Sequence, residues 1–262
     1  MIPNKNPLKV AHDITFMQTA WSFIFFIILL INQGIKYFLF SLGKNSGEFG
    51  TFYNLAFSGS TIFMLIIGII SAYSFLPLYV NHGVTRKDYF KGNAIAIFYT
   101  SIILLVISLL IAGIEQLIVN VLNLDVTFIN EGATEDEDNV VANLVLTAIG
   151  SKFADFSQVS VLLSFIVFII RAAFYYMIGW FIGVAFYHSG VISGLGSIAL
   201  SVLFASLFDL FLEVNEGNLL RAYLSIDFQS PNEFVTILIS FILMGIILFF
   251  IRSITRRITI KL

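Results

Sequence analysis

Six stretches of this chain are too long and too apolar for the core of a water-soluble domain. They run over about 16–40, 52–80, 92–119, 159–187, 191–212 and 233–251. A helix needs about 20 predominantly apolar residues to cross the ~30 Å hydrocarbon layer. A backbone in that layer must satisfy its own hydrogen bonds, which favours helices. Composition agrees: 58% of the residues are hydrophobic, 11% are charged and 29 are phenylalanine. The sequence therefore predicts an all-α polytopic membrane protein, one transmembrane domain over 1–262 with six transmembrane helices. Ahead of the first span, a short amphipathic helix from Leu8 is expected at the membrane surface. Lys5 and Lys9 lead into an apolar run too long for a signal peptide, so the first span is expected to be retained.

The charges orient these spans. The N-terminal segment, the 81–91 loop and the C-terminal tail hold nine Lys/Arg (5, 9, 86, 87, 91, 252, 256, 257, 261) and two acids. The rest holds five Lys/Arg and fourteen acids. Positively charged loops stay inside, so the expected topology is N-in/C-in, with 120–158 as a long outer segment. That segment contains Glu135-Asp136-Glu137-Asp138, whose spacing matches no calcium loop and which reads as solvated. Val140 to Phe156 reads as an amphipathic helix on the outer face. Gly179 and Gly183 form a G-x-x-x-G pair, and Gly190, Gly194 and Gly196 cluster beyond it; all are expected to serve close packing. The aromatics of the fourth span (Phe174, Tyr175, Tyr176, Trp180, Phe181, Phe186, Tyr187) are expected mostly to face lipid or anchor at the interface.

Several chemistries find no support. There is no cysteine, hence no disulfide or thiolate metal site. His12, His82 and His188 all fall at the expected cytoplasmic face, which disfavours an intramembrane zinc site. No P-loop motif is present, so the chain is expected not to bind nucleotide in that manner. A net charge of -2 gives no basic excess for nucleic acid. No catalytic residue, metal or cofactor is expected in the chain itself, and lipid is the expected surrounding partner.

The most informative segment is Asn81-His82-Gly83-Val84-Thr85-Arg86-Lys87-Asp88-Tyr89-Phe90-Lys91. Pro77 is expected to kink the second span just before it. Gly83 suits a left-handed helix stop. Thr85 suits a helix N-cap, with Asp88 completing an approximate capping box. A rigid corner is expected, presenting Arg86, Lys87 and Tyr89 to the cytoplasm. His188, Ser189 and Gly190 form a second, tighter cytoplasmic turn.

Gly83, Val84, Thr85, Arg86, Lys87, Tyr89 and Phe90 resemble the "G-V-[ST]-R-K/R-x-[FY]" element of type-2 ATP-binding-cassette (ABC) transporter permeases, especially Gram-positive bacterial exporters. Six spans, both termini inside and a motif between spans two and three fit the same layout. The resemblance implies that the corner, Asp88 included, is a cytoplasmic coupling helix docking on an ABC ATPase subunit. It further implies a homo- or heterodimer of permeases and two ATPase subunits that carry the ATP and Mg. The expected function is export of an amphipathic or apolar substrate (peptide, toxin, antibiotic or lipid) from the bacterial plasma membrane. The rivals are an ion-gradient-driven secondary transporter or channel, and a non-transporting immunity or sensor protein. A gradient-driven carrier needs titratable groups deep in the bilayer; Arg171 and Asp209 are the candidates. Counted from the turn at 188–190, they rise roughly 25 and 29 Å at about 1.5 Å per residue, with Glu213 one helical turn beyond Asp209. The expectation is either that Arg171 snorkels to the outer headgroups, or that an Arg171–Asp209 pair, with Glu213 as a second partner, holds an outer gate closed.

The topology is testable because the chain has no native cysteine. In intact cells, an impermeant thiol reagent should label Asp136→Cys and spare Lys87→Cys. The opposite pattern would reverse the orientation.

Overall fold

Asn6 accepts the N–H of Leu8 at 3.2 Å, and Pro7 takes the first helical position, where its missing N–H costs nothing. With no further proline, the first helix runs unbroken over Pro7–Ser41. The expected separate surface helix from Leu8 is thus simply the first turns of a long span. The computed structural model describes residues 6–43, 48–124, 126–128, 161–212 and 233–256. Within them lie α1 (Pro7–Ser41), α2 (Phe52–Asn81), α3 (Arg86–Val121), α4 (Val161–His188), α5 (Gly190–Phe211) and α6 (Glu233–Thr255). All six are long and apolar enough to cross a membrane. The chain is an all-α, multi-pass membrane protein. The acidic run 135–138, the helix expected over 140–156, Glu213, Arg257 and Lys261 lie outside the described residues.

Two joints interrupt this regularity. In α2, residues Ser71–Phe75 form a π turn, in which Leu76 N–H bonds to the Ser71 carbonyl five residues back. Pro77 comes at once after it and has no N–H to offer the α-helical ladder. The expected kink is therefore a widened turn inside a continuous helix. Between α4 and α5 the backbone turns at Gly190, whose φ of 78° suits a residue without a Cβ. Phe174 of α4 stacks on Phe208 of α5 with ring centroids 3.9 Å apart, so the two helices form the expected antiparallel hairpin.

The core is α4. It touches α1 through Gln18–Tyr176, α2 through Phe57–Phe168, α3 through Phe90–Trp180, α5 through Phe174–Phe208 and α6 through Phe181–Phe250. Residues 170–181 are all buried. The expected lipid-facing role of its aromatics is accordingly wrong for Phe174, Tyr175, Tyr176, Trp180 and Phe181; only Phe186 and Tyr187 are partly exposed. The sequence pattern could not separate the two cases, because a span surrounded by other spans is as apolar as one facing lipid.

Glycines bring α2 and α4 together. A Cβ on Gly68 would overlap the Tyr176 carbonyl, one on Gly179 the Leu65 carbonyl, and one on Gly183 would press on Ala72 and Ile69. The G-x-x-x-G pair thus packs as expected, and Gly68 is its unanticipated complement. Gly194 packs against the Phe186 ring, whereas Gly196 faces open space. At the end away from the corner, Glu48 and Phe49 pair in parallel with Thr127 and Phe128, a two-residue bridge between the loops leaving α1 and α3.

Gly179→Val should lower stability by about 1–3 kcal/mol, the usual cost of overpacking. Gly113→Ala, on an open face of α3, should instead be neutral or stabilising by about 0.5–1 kcal/mol. Thermal unfolding of both variants in detergent checks the contrast; equal effects would remove the close crossing.

Candidate functional site: a basic corner built into the core

The corner is a complete helix stop and restart. Gly83 has φ 78°; its N–H bonds to the Val80 carbonyl at 2.9 Å and Val84 N–H to the Tyr79 carbonyl at 3.0 Å. That is the full Schellman pattern. Thr85 then caps α3, its hydroxyl accepting Asp88 N–H at 3.1 Å and donating to the Asp88 carboxylate at 2.7 Å. A glutamate in this place would reach the backbone N–H of the cap residue; the shorter aspartate reaches the hydroxyl. From Arg86 the helix continues without interruption to Val121. The corner helix is thus the start of α3 itself, not a separate element between the second and third spans. Nothing breaks it, since Gly92 is helical and packs tightly on Val10 and Pro7 of α1.

The corner has two faces. Gly83, Thr85 and Lys87 are exposed, and Arg86, Asp88 and Phe90 are partly so. Val84 and Tyr89 are buried, Tyr89 completely. The expected exposure of Tyr89 is therefore corrected. It lies on the inward face of the first turn, one residue beyond Asp88, and its ring packs between Tyr79 and Trp180. Its hydroxyl donates to the Ser71 carbonyl at 2.7 Å and sits 2.6 Å from the Ser71 hydroxyl. Phe90 packs on Trp180, and the Arg252 guanidinium of α6 lies 5.2 Å from the Phe90 ring centroid, within cation–π range. The exposed basic surface is thereby tied to α2, α4 and α6. At the second turn, His188 is partly buried and Gly190 exposed.

Behind Tyr89 runs a buried polar chain. Thr100 donates to Gln18 Oε1 at 2.8 Å, Gln18 Nε2 donates to Tyr176 at 2.7 Å, and Tyr176 donates to Asn93 Oδ1 at 2.8 Å. Gln18, Asn93, Thr100 and Tyr176 are all fully buried. This chain joins α1, α3 and α4, and buried networks of this kind specify one arrangement of packed helices.

The third span also holds a charge that the sequence did not bring forward. Glu115 is 8% exposed. Its carboxylate accepts from Gln33 Nε2 at 2.7 Å, Tyr37 at 3.1 Å and the backbone N–H of Phe52 at 2.7 Å. Phe52 is the first residue of α2, so the carboxylate stabilises that helix N-terminus. Its signal was present: a lone acid just past an uncharged run, inside the third span.

Arg171 and Asp209 are 1% and 4% exposed and converge on Tyr175. Tyr175 donates to Asp209 Oδ2 at 3.0 Å, while the guanidinium lies 5.1 Å from the Phe57 ring centroid and 5.9 Å from that of Tyr175. Both charges thus meet at Tyr175, whose hydroxyl bonds to Asp209 and whose ring faces the guanidinium. Among the described residues, no group of three His, Asp or Glu could hold a metal ion.

No family model, curated protein or solved structure matches the chain.

Removing one partner of a buried charge pair typically costs about 3–5 kcal/mol. Arg171→Ala and Asp209→Ala should each destabilise on that scale, and the double variant should be less harmful than their sum by about 0.5–3 kcal/mol. Strict additivity in thermal unfolding would dissolve the pair.

Proposed function

We propose that the chain is the membrane subunit of an ATP-driven exporter, with ATP hydrolysed by a separate subunit docked on the corner at 83–90. The carrying observation is the two-faced corner. Its outer face offers Lys87 and part of Arg86 on a helix start fixed by a Schellman stop and a threonine cap. Its inner face is held by Tyr89–Ser71, Phe90–Trp180 and Arg252–Phe90. A turn serving only to orient the chain has no need to be locked into three helices. A surface that receives a push does, because displacement there must reach the spans. The resemblance of this segment to the coupling helix of type-2 ABC permeases supports the same reading. On it, a second permease copy completes the path in a bacterial plasma membrane, and the substrate is amphipathic or apolar.

A second reading, a carrier driven by an ion gradient, draws on Asp209. Its Oδ1 is buried without a hydrogen-bond partner among the described residues, and intramembrane carboxylates mark ion or proton paths in such carriers. The two readings differ in what must accompany the chain.

Purification from its native membrane should yield a co-migrating ATPase with a P-loop. The double variant Arg86→Glu/Lys87→Glu should insert normally yet lose most of that partner and of transport. A chain that purifies alone and drives uptake or release with a proton or sodium gradient would replace the first reading by the second. A double variant that keeps its ATPase would remove the docking role.

A further inference from the structure

We propose that the α2 segment from Leu76 to His82 is a crank between two joints, and that the Tyr89 hydroxyl is its latch. The first joint is the π turn at Ser71–Phe75. Such a turn holds one residue more than the α-helical turn it replaces, and π turns recur at functional sites. The second joint is Gly83, whose lack of a Cβ lets the backbone rotate once its two Schellman hydrogen bonds open. Between them lie only six residues of α-helix, Leu76–Asn81. If the wide turn tightens to α-geometry, every residue after it moves on by one helical position. That is about 100° of rotation and about 1.5 Å of translation, with the surplus residue passed to the Gly83 joint.

The structure also shows what opposes that movement. The Ser71 carbonyl accepts two hydrogen bonds, Leu76 N–H inside the wide turn and the Tyr89 hydroxyl from α3. The Ser71 hydroxyl adds a contact to the same phenol. Tyr89 is completely buried and fixed by Tyr79 and Trp180, so the latch is held from the start of α3. Any displacement of the corner therefore acts first on the bond that keeps α2 in its wide register. This device rests on the geometry alone and needs no ATPase, so its test is independent of the transport reading.

The test places spin labels on either side of the wide turn, in the cysteine-free chain, through Ile66→Cys and Leu78→Cys. Both positions are exposed, and with one surplus residue taken up by the wide turn the helix between them spans about eleven α-helical rises, roughly 16.5 Å along the axis. Deleting Ser74, an exposed residue of the wide turn, converts it to an α-turn while the helix beyond keeps its place. The deletion variant should give one distance, the dominant distance of the native chain. Tyr89→Phe, which removes only the hydroxyl, should add a second distance reflecting the rotated crank. Combining Tyr89→Phe with the Ser74 deletion should abolish that second distance. Ser71→Ala, with the carbonyl retained, should show the same second distance at lower population, and it supplies the readout should Tyr89→Phe not fold. A single unchanged distance in Tyr89→Phe or, failing that, in Ser71→Ala would overturn the latch. A second distance that persists after the deletion would overturn the crank.

Discussion

The close crossing of α2 and α4 is the contact on which the rest of the bundle depends. Between spans in a bilayer there is little hydrophobic gain, since lipid is as apolar as a neighbouring helix. Association rests on backbone proximity, dispersion and hydrogen bonds. Gly68, Gly179 and Gly183 allow that proximity, bringing carbonyl oxygens of each helix to where a Cβ would otherwise stand on the other. With α4 seated on α2, its aromatics become the filling against which α1, α3, α5 and α6 close. Phe57, Phe90, Phe208 and Phe250 all pack on rings of α4.

Polar groups then specify the arrangement that packing permits. The Thr100–Gln18–Tyr176–Asn93 chain joins three helices, and the Tyr175–Asp209 bond fixes the α4–α5 hairpin near its far end. Each uses an uncharged donor or an aromatic hydroxyl, groups that a span can carry at modest cost. Of the charged groups, Glu115 and Asp209 accept hydrogen bonds and Arg171 faces aromatic rings.

Much of this was legible in the residue order. Apolar run length gave six spans, and Gly83 and Thr85 gave the stop and the cap, because helix ends are local chemistry. Nearly equal rise above a tight turn put Arg171 and Asp209 at one level, and both meet Tyr175 there. What escaped depended on which face of a helix meets another helix. The α4 aromatics sit in a run with no polar face to mark inside from outside, and Tyr89 sits among charged neighbours that make its whole segment read as exposed. Gln18 and Tyr176 are 158 residues apart, and no local pattern announces such a pair. Pro77 pointed to a kink, and only the wider ladder around Ser71 shows how the helix absorbs it.

Glu115 gives the bundle an unequal pair of ends. By accepting from Gln33 and Tyr37 of α1 and from the first N–H of α2, a side chain of α3 clamps three helices at one point. The β-type bridge between Phe49 and Phe128 lies in the adjoining loops. At the opposite end, α2 and α3 meet at a glycine. Two rods, α2 and α3, clamped at one end and joined by the Gly83 turn at the other, respond to a load by tilting about the clamp, not by sliding past one another, while α1 stays packed on α3 at Gly92. A small displacement at the corner would then fade towards Glu115, and the widest opening between these helices would occur at the corner end.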